Sequence, residues 1–86
     1  MNTEATMQDI GWAVKQMHNG KRVTRRGWNG PDQWLALQVP DQLSKMRKPY
    51  IYISPVDGEL VPWLASQTDI LAVDWQLVYQ WNHQNR

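Results

Sequence analysis

Apolar residues fall at Met7, Ile10, Val14 and Met17, a spacing that gathers their side chains on one face of a helix. Thr6 is placed to cap that helix, and Asp9 suits its first turn. Asn19-Gly20 supplies the stop, with Gly20 able to take the left-handed conformation that ends a helix. The pattern predicts a helix from Met7 to His18. Lys21 to Arg25 then reads as a short strand, and Gly27-Trp28-Asn29-Gly30-Pro31-Asp32 as a tight loop. Trp34 to Val39 and Tyr50 to Ile53 are rich in apolar, β-branched and aromatic residues, as strands are. Between them Pro40 to Pro49 is polar, charged and bounded by prolines, which predicts a mobile loop. Asp57-Gly58 is a hairpin signal that returns the chain along Glu59, Leu60 and Val61. Ser66 caps a second, short helix from Gln67 to Val73. The last strand, Trp75 to Trp81, alternates Trp75, Leu77, Tyr79 and Trp81 against Gln76, Val78 and Gln80. Strands bracketed by two helices predict an α+β fold with a mainly antiparallel sheet, as one domain over residues 1–86.

Length sharpens this picture. A chain of 86 residues buries only roughly 60–65% of the surface that its unfolded form exposes. Domains of this size recover stability from disulfides, metals or assembly. There are no cysteines, and His18 and His83 have no ligand-like spacing, so no cofactor is expected and oligomerisation is the remaining route. Six Trp and three Tyr with no Phe fit interfaces and ligand pockets, where a ring packs at one end and hydrogen-bonds at the other. No apolar run is long enough to span a membrane, and the acidic, polar first residues do not read as a secretory signal. A cytoplasmic location without membrane partners is therefore expected. The formal net charge of +1 conceals an asymmetry. From Lys21 to Lys48 there are seven basic residues against two acidic ones, while the flanks hold two basic and six acidic residues. Such a basic middle suits an anionic partner.

Catalysis finds little support. Ser44, Ser54 and Ser66 have no local relation to either histidine, as a nucleophile and its base would require. Asp69 with Asp74 offers a carboxylate pair, but capping and turn roles account for both. Gly27-Trp28-Asn29-Gly30 lacks both the Walker lysine and the dinucleotide-binding glycine spacing. A non-enzymatic role is expected.

Two segments exceed what a scaffold needs. In Arg25-Arg26-Gly27-Trp28-Asn29-Gly30, two glycines flank an aromatic plane and an amide, with guanidinium groups alongside: the parts of a nucleotide site. An equally available reading folds Trp28 back onto the core and leaves the arginines in solvent. In Val61 to Asp69, Pro62 stiffens the approach to Trp63, and Ser66 opens a helix whose free N–H groups favour an anion, with Gln67, Thr68 and Asp69 on the same turn. There the bland alternative is a capped helix with Trp63 as a core anchor.

At these segments the sequence resembles the Thoeris anti-defense 2 family. The resemblance is carried by Asn19-Gly20-Lys21-Arg22-Val23, by the Arg25 to Gly30 run, by Pro49-Tyr50-Ile51-Tyr52, and by Asp57 to Trp63. It extends through Ala65-Ser66-Gln67-Thr68-Asp69-Ile70-Leu71-Ala72-Val73-Asp74-Trp75 and spans Met7 to Val78. It implies a phage protein that sequesters cyclic ADP-ribose-type immune signals, or cyclic oligonucleotides, without cleaving them. It also implies a homotetramer with ligand sites between subunits. On that basis Trp28 is expected to stack on a purine, with Arg26 and the start of the Gln67 helix at the pyrophosphate. Asn29, Gln67, Thr68 and Asp69 would read ribose hydroxyls and base edges, and the ligand-binding set is completed by Ser66, at the cap of the helix, and Trp63, packed beneath. The subunit seam is expected on the Trp75-Leu77-Tyr79-Trp81 face or on its neighbour Tyr50-Tyr52. A small nucleic-acid-binding module is the alternative, ranked below it. Helix residues Met7 to Trp12 and the Gln-rich tail from Gln80 to Arg86 receive no function from the resemblance.

Overall fold

The computed structural model describes residues 7–28, 32–55 and 57–78. The first helix, α1 (Ile10–His18), starts later than its apolar stripe predicts, and Asp9 rather than Thr6 is its cap. The reason lies in the strand beside it. Gln8 forms a parallel bridge with Asp74: its carbonyl accepts from the Trp75 N–H at 3.1 Å, and its side-chain amide donates to the Trp75 carbonyl at 2.9 Å. Residues that pair this way are extended, so the helix begins only past them. The Asp9 carboxylate then accepts from the Trp12 N–H at 2.9 Å. At the other end Gly20 has φ +83°, its N–H reaches the Met17 carbonyl, and the Lys21 N–H reaches that of Gln16. That is the Schellman closure expected of Asn19-Gly20.

Five strands follow: β1 (Arg22–Arg25), β2 (Trp34–Gln38), β3 (Tyr50–Ser54), β4 (Val61–Pro62) and β5 (Trp75–Val78), with α2 (Gln67–Ile70) before the last. They form one sheet in the order β4-β3-β2-β1-β5, and every neighbouring pair is antiparallel. The fold is α+β, as expected. β5 lies beside β1, so the chain crosses from one edge of the sheet to the other through α2.

Register sorts the side chains into two faces. Val23 pairs with Leu35 and Leu77, Leu35 with Ile53, Leu37 with Ile51, and Arg25 with Trp75. This face is covered by α1, which packs on β1, β2 and β5. Ala13, Met17, Val23, Leu35 and Trp75 are its buried centre, with Ile10, Val14, Leu77, Trp28 and Trp63 packed around them. Trp75 is only 1% exposed, so the chain's own core occupies the face first considered for a subunit seam; Tyr79 and Trp81 lie outside the described residues.

The opposite face carries Arg22, Trp34, Ala36, Gln38, Tyr50 and Tyr52, and α1 does not cover it. Trp34 meets Tyr52 edge-on at 6.0 Å, and the Arg22 guanidinium lies 4.0 Å from the centre of the Trp34 ring.

The remaining departures have local causes. The hairpin turn forms at Asp57-Gly58, where Gly58 has φ +83° and the Asp57 carboxylate accepts from the Glu59 N–H. β4 nevertheless covers Val61–Pro62 rather than Glu59 to Val61, and the Trp63 N–H carries the bonding on to the Ile51 carbonyl. α2 stops at Ile70 instead of Val73, because the carbonyl of Asp69 also accepts from the Trp75 indole and the chain must reach β5 at once. In the Pro40 to Pro49 loop, Asp41 and Ser44 close a turn through reciprocal side-chain and backbone bonds.

Candidate functional site

Polar chemistry collects where β1, α2 and the start of β5 meet. Strand alternation turns Arg25 toward the same face as Val23, where a lone guanidinium would be costly to bury. Two carboxylates answer it. Arg25 Nη1 donates to Asp69 Oδ1 at 2.8 Å, and Nε donates to Asp74 Oδ1 at 2.7 Å. The side chains of Arg25 and Asp69 are each 14% exposed. The same carboxylates hold the loop after β1. Asp74 Oδ2 accepts from the Gly27 N–H at 2.8 Å, Asp69 Oδ1 accepts from the Trp28 indole at 2.9 Å, and the Asp74 carbonyl takes the Arg26 N–H.

These contacts set the charge states. Hydrogen bonds to Asp74 and then Asp69 raise Arg25 above its ordinary range. Burial pushes the Asp69 carboxyl up, but the donors Trp28, Arg25 and Ser66 together outweigh burial and hold it below the usual carboxylate value. The Asp74 carboxyl is lowered chiefly by Arg25, against burial and with help from the Gly27 N–H. Both acids are therefore ionised at neutral pH. With one guanidinium between them the cluster has a residual negative charge.

Three tryptophans make the apolar half. Trp75 is at the centre; Trp28 meets it edge-to-face with ring centres 5.5 Å apart, and Trp63 does so at 6.1 Å. Trp28 is half-buried and packs on the core, so it is not a free ring at a loop tip. Its indole N–H is committed to Asp69, and the remaining exposed part of the ring is what a ligand can meet. Trp63 packs on the core, as its anchor role required.

Of the residues singled out from the sequence, Trp28, Trp63 and Asp69 converge on one cluster. Ser66 caps α2 by accepting from the Asp69 N–H at 3.1 Å, and Gln67 and Thr68 are exposed on its first turn. Arg26 is exposed, and its side chain makes no hydrogen bond or ion pair among the described residues. Asn29 lies outside the described residues. The residue that sequence reasoning passed over is Arg25. Its signal was the strand period: two places after the core residue Val23, it had to point inward and find acids. Arg25 and Trp28 both use Asp69 Oδ1, which leaves Oδ2 outside those two bonds. No group of titratable residues there is arranged to hold a metal, and no helix there is long and apolar enough to cross a membrane.

A concavity lies elsewhere. A cleft of about 300 Å³ opens beside β3 and β4, lined by Gln38, Met46, Tyr50, Tyr52, Leu60 and Pro62.

Together these features define a small α+β domain built on one antiparallel sheet, with a tryptophan cluster locked by paired carboxylates at one corner. The chain belongs to the Thoeris anti-defense 2-like domain family, whose model matches residues 8–78. Among its relatives is Thoeris anti-defense 2 of Bacillus phage SP01, which is 33% identical over an alignment covering 85% of this chain and 97% of that protein.

Proposed function

We propose that this protein is a phage anti-defence protein that binds and sequesters a cyclic nucleotide immune signal, of the cyclic ADP-ribose class, without cleaving it. Membership of an anti-defence family supports the biological role. The observation that carries the chemistry is the tryptophan cluster at the β1–α2–β5 corner. Trp28 presents part of an aromatic ring, Asp69 Oδ2 can accept from a ribose hydroxyl, and Gln67 and Thr68 are exposed beside it. Arg26, exposed and outside that ion-paired cluster, supplies charge for phosphate. Carboxylates near phosphate would repel it, so the ribose or base side of the ligand belongs at Asp69 and the phosphates belong toward Arg26.

Assembly is part of the same reading. With Trp75 in the protomer's own core, the seam of a homotetramer falls on the open face that carries Trp34, Tyr50 and Tyr52. The function is tested by a thermal-shift screen against cyclic ADP-ribose isomers and cyclic dinucleotides, since a ligand held only by the native state raises the melting point. Denaturing the complex should then return the ligand intact. A degraded ligand would make the protein a hydrolase, and steeply salt-dependent DNA binding with no nucleotide shift would favour the nucleic-acid alternative.

A further inference from the structure

The links from the loop after β1 to α2 and β5 run through one arginine's two partners. Asp69 holds the Trp28 indole, and Asp74 holds the Gly27 N–H with its side chain and the Arg26 N–H with its carbonyl. Arg25 touches both carboxylates, with its Nε and Nη2 on Asp74 and its Nη1 on Asp69. The fit around it is close. A Cβ on Gly27 would lie 2.9 Å from Asp74 Oδ2 and 3.2 Å from Arg25 Nη2, so the loop backbone rests directly on the pair. Arg25 is half-buried, and a ligand meeting the exposed part of Trp28 would not need to touch it.

We infer that Arg25 is a positioning residue: by clamping Asp69 to Asp74 it sets the Trp28 ring and the first turn of α2 in one arrangement. This rests on the proposed function for its effect on affinity, though not for its effect on Trp28. The chemistry explains why charge alone is insufficient. Without a cation between them the two carboxylates repel, and the acceptor for the Trp28 indole moves away. A lysine supplies the cation at a single point, but it cannot bridge both acids in one plane as a guanidinium fork does. Arg25→Lys should therefore keep the fold while releasing the ring.

The test uses the full-length chain labelled with nitrogen-15, in which each of the six tryptophans contributes one indole N–H signal. The Trp28 signal is the one missing from Trp28→Phe. In Arg25→Lys that signal should shift and exchange with water at least tenfold faster, while the Trp75 signal stays protected. Calorimetry with cyclic ADP-ribose isomers should show affinity at least tenfold weaker, with the melting point only a few degrees lower. A general loss of packing would instead move all the indole signals together. Should Arg25→Lys fail to fold, Asp74→Asn is read in the same way, because it keeps shape and removes the charge that anchors Nε. A Trp28 indole as protected as in the parent overturns the inference, and so does one that is released with affinity unchanged. A parent chain that binds none of these nucleotides overturns the proposed function instead, and the indole signals then decide the positioning role alone.

Discussion

The two faces of the sheet use the same aromatic residues in opposite ways. On the α1 side, Trp28, Trp63 and Trp75 are interlocked, and two indole N–H groups reach the backbone or side chain of Asp69. On the open side, Trp34 touches both Tyr52 and Arg22, and two apolar side chains nearby stay in water: Leu60 is 56% exposed and Met46 54%. The first face is finished within one chain. The second stays open within the chain, and association there, as proposed above, would add buried area to a small domain with a thin core. Burial thus separates aromatic residues that build the core from those that stay on the surface, a distinction that aromatic content alone does not make.

The largest effect should come from removing the centre of the finished face. Trp75→Ala deletes a ring at 1% exposure and leaves Trp28 and Trp63 without their common partner. It should cost about 3–5 kcal/mol, enough to unfold much of so small a domain. Chemical denaturation measures this, and a loss under about 1 kcal/mol would mean that the cluster is not the core.

Next come the flanking rings. Trp28→Ala should weaken binding of the signal by roughly one to two orders of magnitude, the value of one stacked base. Because Trp28 also packs on Trp75 and bonds Asp69, some stability should go with it, as the alternative reading of Trp28 as a core ring expects. Trp63→Ala should lower stability and binding together. Calorimetry beside melting curves separates the two contributions, and unchanged affinity in Trp28→Ala would end the stacking model.

On the open face the expected loss is of assembly and not of fold. Tyr52→Ala with Trp34→Ala should shift light scattering toward monomer while each protomer keeps its helix-covered core. If the parent is already monomeric at micromolar concentration, the open face is not a seam.

Much of this division was legible beforehand, and the exceptions have physical causes. Periodicity located α1 and the strands, because apolar alternation is what a half-buried sheet requires. Gly20 and Gly58 were readable because only glycine enters the left-handed region freely. Helix ends were less so: whether Thr6 or Asp9 caps α1 depends on Gln8 pairing with Asp74, a contact across most of the chain. The site divided in the same way. Trp28, Ser66 and Asp69 stood out by local chemistry, whereas Arg25 looked equivalent to Arg26 until the register paired it with Trp75. Which alternating face is covered depends on where α1 docks, so the sequence left the Trp75-Leu77 face and the Tyr50-Tyr52 face both open as a seam.

Acid should distinguish the faces more gently. Asp69 and Asp74 have carboxyls held below their ordinary value of 3.8, so their contribution is complete above that pH and is lost as pH falls through their lower folded values. Melting points should be flat near neutrality with respect to these groups and should fall in acid below roughly pH 4. Asp74→Asn should flatten that decline. An acid profile identical in Asp74→Asn and parent would show that the pairing with Arg25 adds no stability.

The smallest effect is expected from the loop between β2 and β3, next to the open face. Lys45, Arg47 and Lys48 are exposed and take part in no ion pair among the described residues. The turn in this loop is closed by Asp41 and Ser44, which the three cations do not touch. Neutralising all three should therefore leave the melting temperature within a few degrees, since exposed charges contribute little to stability. Their charge still acts at a distance, so association with an anionic nucleotide should slow at low salt, with the difference vanishing as ionic strength rises. Met46, in the same loop, lines the cleft and should behave differently. Met46→Ser should alter assembly while the charge-neutralised chain assembles as the parent does. A collapse of the fold on neutralisation would make this loop structural, and an unaltered association rate at low salt would remove it from ligand capture.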